Sequence, residues 1–219
     1  MSAAAHFPLP GHDCPLCPRL AGFRETQRAA HPDWHNAPVP PFGDPVAALL
    51  IVGLAPGLRG ANRTGRPFTG DYAGDLLYAT LAKFGFATGK YAGYRDDGFA
   101  LHGVRITNAV RCVPPQNRPE PREIAACGQF LAAELAAASD VRAILALGAI
   151  AHNALLAAKG LRRAAYPFVH AALHELPDGT LLADSYHCSR LNTNTGTLTP
   201  AMFEAVFATL RERLSRVPA

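Results

Sequence analysis

The sequence predicts an α/β fold: a three-layer αβα arrangement around a central four-stranded, mostly parallel sheet. Two observations carry this. Four short apolar runs alternate with four segments of helical character, and such alternation implies crossover connections with helices on both faces of a sheet. The runs are also nearly continuous in apolar residues, as expected of strands covered on both sides. With 219 residues, 49% of them apolar, the chain can bury one sizeable core, and a single domain over residues 1–219 is expected.

The elements follow in order. Residues 1–45 are rich in Pro, His and Gly and read as an irregular arm tied down at Cys14 and Cys17. Residues 48–53 (ALLIVG) form the first strand, followed by a long glycine-rich loop and a helix over about 74–84. The second strand is 103–108 (GVRITN), and a Pro-rich loop leads from it into a helix over 121–138, with Pro in its first turn. Residues 142–147 (RAILAL) give the third strand and 149–158 a helix closed by Gly160. The fourth strand spans 181–186, and the last helix opens at Thr199-Pro200 and runs to about 216. Ligands of such sheets bind at the carboxyl ends of the strands. The three most unusual loops, after strands one, two and four, all fall on that edge.

Charge narrows the partners only slightly. Formal charge is +4, and eighteen of the 21 cations are arginine. Arginine forks match phosphate oxygens, although a GC-rich genome gives the same bias. The start MSAAAHFPLPGHD has no basic segment followed by an apolar run, and no apolar stretch reaches the roughly 18 residues of a membrane span. A cytoplasmic, non-membrane protein is therefore expected, nucleoid-associated in a prokaryote. In that reducing compartment five cysteines point to metal rather than disulfides.

Cys14 and Cys17 form a CxxC pair, and Cys112 and Cys127 follow after 94 and then 14 intervening residues. Four thiolates suit zinc or an iron–sulfur cluster equally, and spacing does not choose between them. Cys188, beside His187, is the odd one out; a Cys188–His187 nucleophile pair is a competing reading, with no base-and-orienter set identifiable in the sequence.

The loop after strand one, GLAPGLRGANRTGRPFTGD over 53–71, holds five glycines, which permit close backbone approach to a ligand. It lacks the Gly-Lys-Ser/Thr of a phosphate-binding loop and the GxGxxG pattern, so nucleotide triphosphate binding loses its main support. Phe68 either anchors this loop to the core or stacks on a flat ring. Asn108 ends strand two; it is either a turn former or a side-chain amide presenting donor and acceptor to a pyrimidine edge. His187 ends strand four and is followed by Asn192, Thr193 and Asn194.

Taken together these loops resemble the uracil-DNA glycosylase superfamily, in its iron–sulfur branch, and the likeness covers most of the chain. The first loop resembles the opening motif of the family 5 enzymes, and ITNAVRCVPPQNRPEPREIAAC resembles a segment shared by families 4 and 5. HCSRLNTNTGTLTP resembles the family's last motif, although His187-Cys188-Ser189-Arg190-Leu191 stands where the family commonly has His-Pro-Ser-Pro-Arg. Loss of those prolines is expected to loosen the loop.

The resemblance implies excision of uracil, and of further deaminated bases such as hypoxanthine or xanthine, from double- and single-stranded DNA by a monomeric enzyme of base excision repair. It implies that Cys14, Cys17, Cys112 and Cys127 hold a 4Fe-4S cluster of structural role. Phe68 then stacks on the flipped base, Asn108 reads its edge, and Gly53, Leu54, Ala55 and Gly57 line the pocket, with Tyr72 and the glycine loop setting its width. His187 donates to the leaving base. The acid found early in the first motif of better-known relatives is absent from Ala55-Pro56-Gly57, so Asp71, or Asp75 one turn on, is left to orient the water. Leu191 is a candidate wedge in the base stack, with Arg63, Arg190, Asn192 and Asn194 on the DNA. A non-catalytic iron–sulfur sensor of damaged DNA is the alternative.

Overall fold

A computed structural model describes residues 7–216. The expected arm and the single domain both extend past these limits, and their first six and last three residues lie outside the described residues.

The sheet has six strands, not four. Its parallel centre is the expected one: β2 (Leu49–Gly53), β5 (Val104–Asn108), β6 (Ala143–Leu147) and β8 (Leu181–Ser185), in the order β5-β2-β6-β8. Two antiparallel strands extend it, β1 (Phe42–Gly43) on β5 and β7 (Leu173–Glu175) on β8. Neither was legible because each is two or three residues long and partly exposed, so neither leaves a run of buried apolar residues. A separate hairpin pairs β3 (Ala87–Thr88) with β4 (Ala100–Leu101).

Strand alternation sorts the core into two layers. Leu49, Ile51, Leu145, Leu147 and Ala183 face α3 (Tyr72–Lys83) and α7 (Pro200–Ser215), packing on Leu77, Leu81, Phe203 and Phe207. Leu50, Val52, Ile144, Ala146 and Leu182 face α4 (Pro121–Ala137) and α5 (Ala149–Ala158), packing on Leu131 and Leu155. Every residue of Leu49–Val52 is fully buried, which is why the strand reads as a continuous apolar run.

The arm is not irregular. It contains α1 (Pro18–Ala30), opened by Pro18 at its first position. Only Leu20, Arg24 and Gln27 of this helix are buried, so no apolar stripe announces it. Within the glycine-rich loop lies the single turn α2 (Ala61–Thr64), and after β8 the turn α6 (Arg190–Asn194), capped by Ser189. Among the described residues no helix is long and apolar enough to cross a membrane.

Candidate active site and cysteine centre

Parallel register places the unusual loops side by side. Gly53 pairs with Asn108 across the ends of β2 and β5, and past them Ala109 and Val110 still donate to the carbonyls of Gly53 and Leu54. The Asn108 side chain is thereby fixed at the carboxyl edge, 3% exposed. Its Oδ1 is buried without a partner among the described residues, and an unpaired buried acceptor costs about 1–3 kcal/mol unless a ligand meets it. A methyl group added at Gly53 would lie 2.4 Å from that oxygen and 2.5 Å from Phe68 Cζ. Glycine is needed there because the two side chains close directly over the backbone.

Phe68 is 7% exposed and adopts φ 54°, a left-handed conformation that costs an aromatic residue about 1–3 kcal/mol. Its neighbours enforce it. Tyr78 Oη donates to the Pro67 carbonyl at 2.6 Å, and Tyr91 Oη donates to the Phe68 carbonyl at 3.4 Å while accepting from Gly70 N. Arg66 spans the loop from below: it donates to Asp97 Oδ1 at 2.7 Å and to Thr69 Oγ1 at 2.9 Å, and it lies over the rings of Phe42, Tyr78 and Tyr91. Burial alone would raise the Asp97 carboxyl, but the Arg66 bonds and two backbone N–H donors outweigh it and hold it below its usual range. The partners stand 31 positions apart, on the loop and on the β3–β4 hairpin, so sequence offered no signal for the pair.

His187 follows β8 and brings its ring to 5.9 Å from that of Phe68, nearly parallel to it. Its carbonyl accepts from Asn192 Nδ2 at 2.8 Å, so the Asn192 amide braces the loop. Burial pushes the imidazole down to about 4. Since the folded value lies below the unfolded one, the proton taken up on acidification favours the unfolded chain: His187 contributes stability above about pH 6.5, and loses it as pH falls toward 4. The expected result is that the His187 ring resonances hold their neutral position from about pH 8 to about pH 5.5 in an NMR titration; an inflection near the free-histidine value would overturn the assignment.

Asp71 caps α3. Its Oδ1 accepts from Gly74 N at 3.0 Å, while Oδ2 faces the glycine turn, 2.6 Å from where a Gly60 side chain would begin and 3.1 Å from the same point at Gly57. Burial raises its carboxyl, and the Asp75 charge adds to this. Asp75 itself is exposed on the first turn of α3. The two oxygens of Asp71 therefore face different ways, one to the start of α3 and the other to the glycine turn. Cys188 is fully buried, its Sγ–H donating to the Ala73 carbonyl at 3.5 Å. Burial raises its thiol, which disfavours the thiolate that a nucleophile requires.

At the rim, Arg190 stacks over Tyr72 and Leu191 is 71% exposed. Arg63 and Asn194 are exposed as well. Leu54 is partly buried with its carbonyl committed to Val110, and the Ala55 methyl packs toward the cysteines.

Behind the Asn108 strand, Cys14, Cys17, Cys112 and Cys127 line one small enclosed space with Leu16, Leu20, Val110 and Phe130. Burial pushes the Cys17 thiol up to about 11 and that of Cys112 to about 12, and proximity to other cysteines adds to each. From this centre α1 leads to residues 31–39, where Arg28 donates to the Asn36 carbonyl and Asn62 of α2 donates to Asn36 Oδ1 at 2.9 Å. The arm thus ties the cysteines to the glycine-rich loop.

Residues 40–211 match the family model described as the uracil DNA glycosylase superfamily. A type-5 uracil-DNA glycosylase of Thermus thermophilus is 50% identical over 196 residues, covering 87% of this chain and 89% of the relative. The type-5 enzyme of Pyrobaculum aerophilum is 42% identical over 85% of this chain and 83% of its own length. A type-4 uracil-DNA glycosylase of Thermotoga maritima is 42% identical over 47% of this chain and 46% of its own length. The match spans the whole central sheet, and with it every loop of the carboxyl edge. The chain belongs to the uracil DNA glycosylase superfamily and, within it, to the type-5 branch.

Proposed function

We propose that this chain hydrolyses the bond between uracil and deoxyribose in DNA, opening base excision repair. The observation that carries this is the convergence of Phe68, Asn108, His187 and Asp71 on one sheet edge from three separate loops. A target base inside a duplex is extruded first, at a cost of roughly a few kcal/mol that is least for a mispair. Uracil then stacks on Phe68, and the Asn108 amide pairs with its Watson–Crick edge.

Bond breaking leaves positive charge on the sugar and negative charge on the base, and each end needs its own stabiliser. Neutral His187 donates its ring N–H toward the uracil O2, helped by backbone N–H groups of the 53–57 turn. Asp71 Oδ2 orients the water and faces the developing sugar cation. Arg63, Arg190 and Asn194 hold phosphates, Leu191 fills the vacated stack, and Asn192 keeps the loop in shape. The Asn108 amide reads a ring edge with acceptor beside donor, and hypoxanthine and xanthine present the same edge as uracil, so the proposed range includes them.

The donor set fits an iron–sulfur cluster. Four cysteine side chains line one small enclosure together with Leu16, Leu20, Val110 and Phe130, the all-sulfur donor set that such a cluster takes. Held by Cys14, Cys17, Cys112 and Cys127, a 4Fe-4S group would supply a rigid junction between the arm and the segment that follows Asn108.

Incubation with a uracil-containing oligonucleotide followed by alkali tests the activity. Strand scission at the uracil is expected. Binding without scission would instead make the chain a damage sensor.

A further inference from the structure

Two arginines are buried beside the cysteines, Arg24 at 2% exposure and Arg111 at 1%. Arg111 has a carboxylate: its Nη2 donates to Glu134 Oε2. Arg24 has none. Its Nη1 donates to Cys112 Sγ at 3.6 Å and its Nη2 to the Cys14 carbonyl at 3.2 Å, while Nε finds no partner among the described residues. A guanidinium does not deprotonate, so this is a permanent cation whose surroundings in the fold include Leu20, Val110 and Phe130. An unpaired buried charge is among the costliest things a fold can contain.

The arrangement makes sense once the sulfurs carry charge. Four thiolates around an iron–sulfur core leave a net negative charge, and cluster stability and potential depend on net charge and on hydrogen bonds to the sulfurs. Arg24 also sits between the two halves of the ligand set, touching Cys14 of the arm and Cys112 of the Pro-rich loop. We propose that Arg24 is the counter-charge and positioning residue of the cluster, offsetting its negative charge and holding the arm cysteines against the strand cysteines. This rests on the reading of the four cysteines as cluster ligands.

The test uses the whole chain, purified without oxygen, as wild type, Arg24→Met and Arg24→Lys. Iron and sulfide content and absorbance near 400 nm establish the cluster in the wild type, and if iron is lacking there, the underlying reading fails together with the proposal. With the cluster in place, Arg24→Met is expected to surrender iron to a chelator at least about tenfold faster, the effect of losing one charge-assisted hydrogen bond. Its midpoint potential is expected to fall, because reduction adds negative charge that the lost cation no longer offsets. Arg24→Lys keeps the charge without the fork, so its potential stays near the wild-type value while iron release is still faster. Wild-type release from both variants, or a wild-type potential in Arg24→Met, would overturn the proposal. If Arg24→Met does not fold, the release rate of Arg24→Lys decides alone.

Discussion

Asp71→Asn is expected to slow uracil excision about 10³-fold under single-turnover conditions, within the range of a positioned acid or base, while affinity for uracil-containing DNA stays unchanged. The substitution separates the two tasks of the residue. Asparagine caps a helix about as well as aspartate, so the bond from Gly74 N to the side-chain oxygen survives and α3 keeps its start. What disappears is the negative charge of Oδ2 facing the glycine turn. Stability should hold or rise slightly, because burial raises the Asp71 carboxyl and the folded state therefore works against its ionisation at neutral pH. For the same reason the acid limb of excision should lie above the ordinary aspartate value, since the carboxylate must be ionised to act. Asp75→Asn is the control: exposed on the helix surface, it should change the rate by less than about threefold, the scale of a surface charge. Full activity in Asp71→Asn, or a large loss in Asp75→Asn, would reverse the assignment.

The parts of the fold that were legible in the sequence are those whose physics is local. Leu49–Gly53 and Ala143–Leu147 are buried along their whole length, so composition alone marks them. Phe68, Asn108 and His187 were legible because each closes a strand or punctuates a glycine-rich loop at the edge where such sheets bind ligands. What remained hidden depends on distant partners. Arg66 reads as a solvated cation until Asp97 and three aromatic rings surround it. Arg24 gives α1 a polar appearance because its hydrogen-bond partner Cys112 lies in another segment, 88 positions away. The edge strands β1 and β7 borrow their geometry from β5 and β8 and have too few residues to show any period. Asp71 reads in the sequence as a cap or as a catalytic group, and only the fold places one of its oxygens at the start of α3 and the other toward the glycine turn.

Gly74→Ala is expected to lower Tm by about 4–8 °C and excision by at least about 10²-fold, although helix propensity alone predicts the opposite sign. Alanine in place of glycine within a helix is worth about 1 kcal/mol in its favour. At this position, however, a methyl group would begin 1.7 Å from the Phe68 carbonyl oxygen. That oxygen cannot yield cheaply, because it belongs to the peptide already held at φ 54° and bonded to Tyr91 Oη. Either the Phe68 peptide rotates, which moves the stacking ring, or α3 shifts outward, which moves Asp71 and its cap. Overpacking of about 1–3 kcal/mol, added to the disturbance of a strained loop, exceeds the propensity gain. For a chain of this size each kcal/mol lost lowers Tm by roughly 2–4 °C. Gly128, within α4, provides the matched comparison, since nothing lies within 4 Å of its added methyl. There propensity acts unopposed, and Gly128→Ala should raise Tm by about 2–4 °C with activity intact. Shifts of the same sign at both positions would mean that the Phe68 loop is softer than its contacts imply, and that the stacking platform is assembled by the DNA rather than built into the fold.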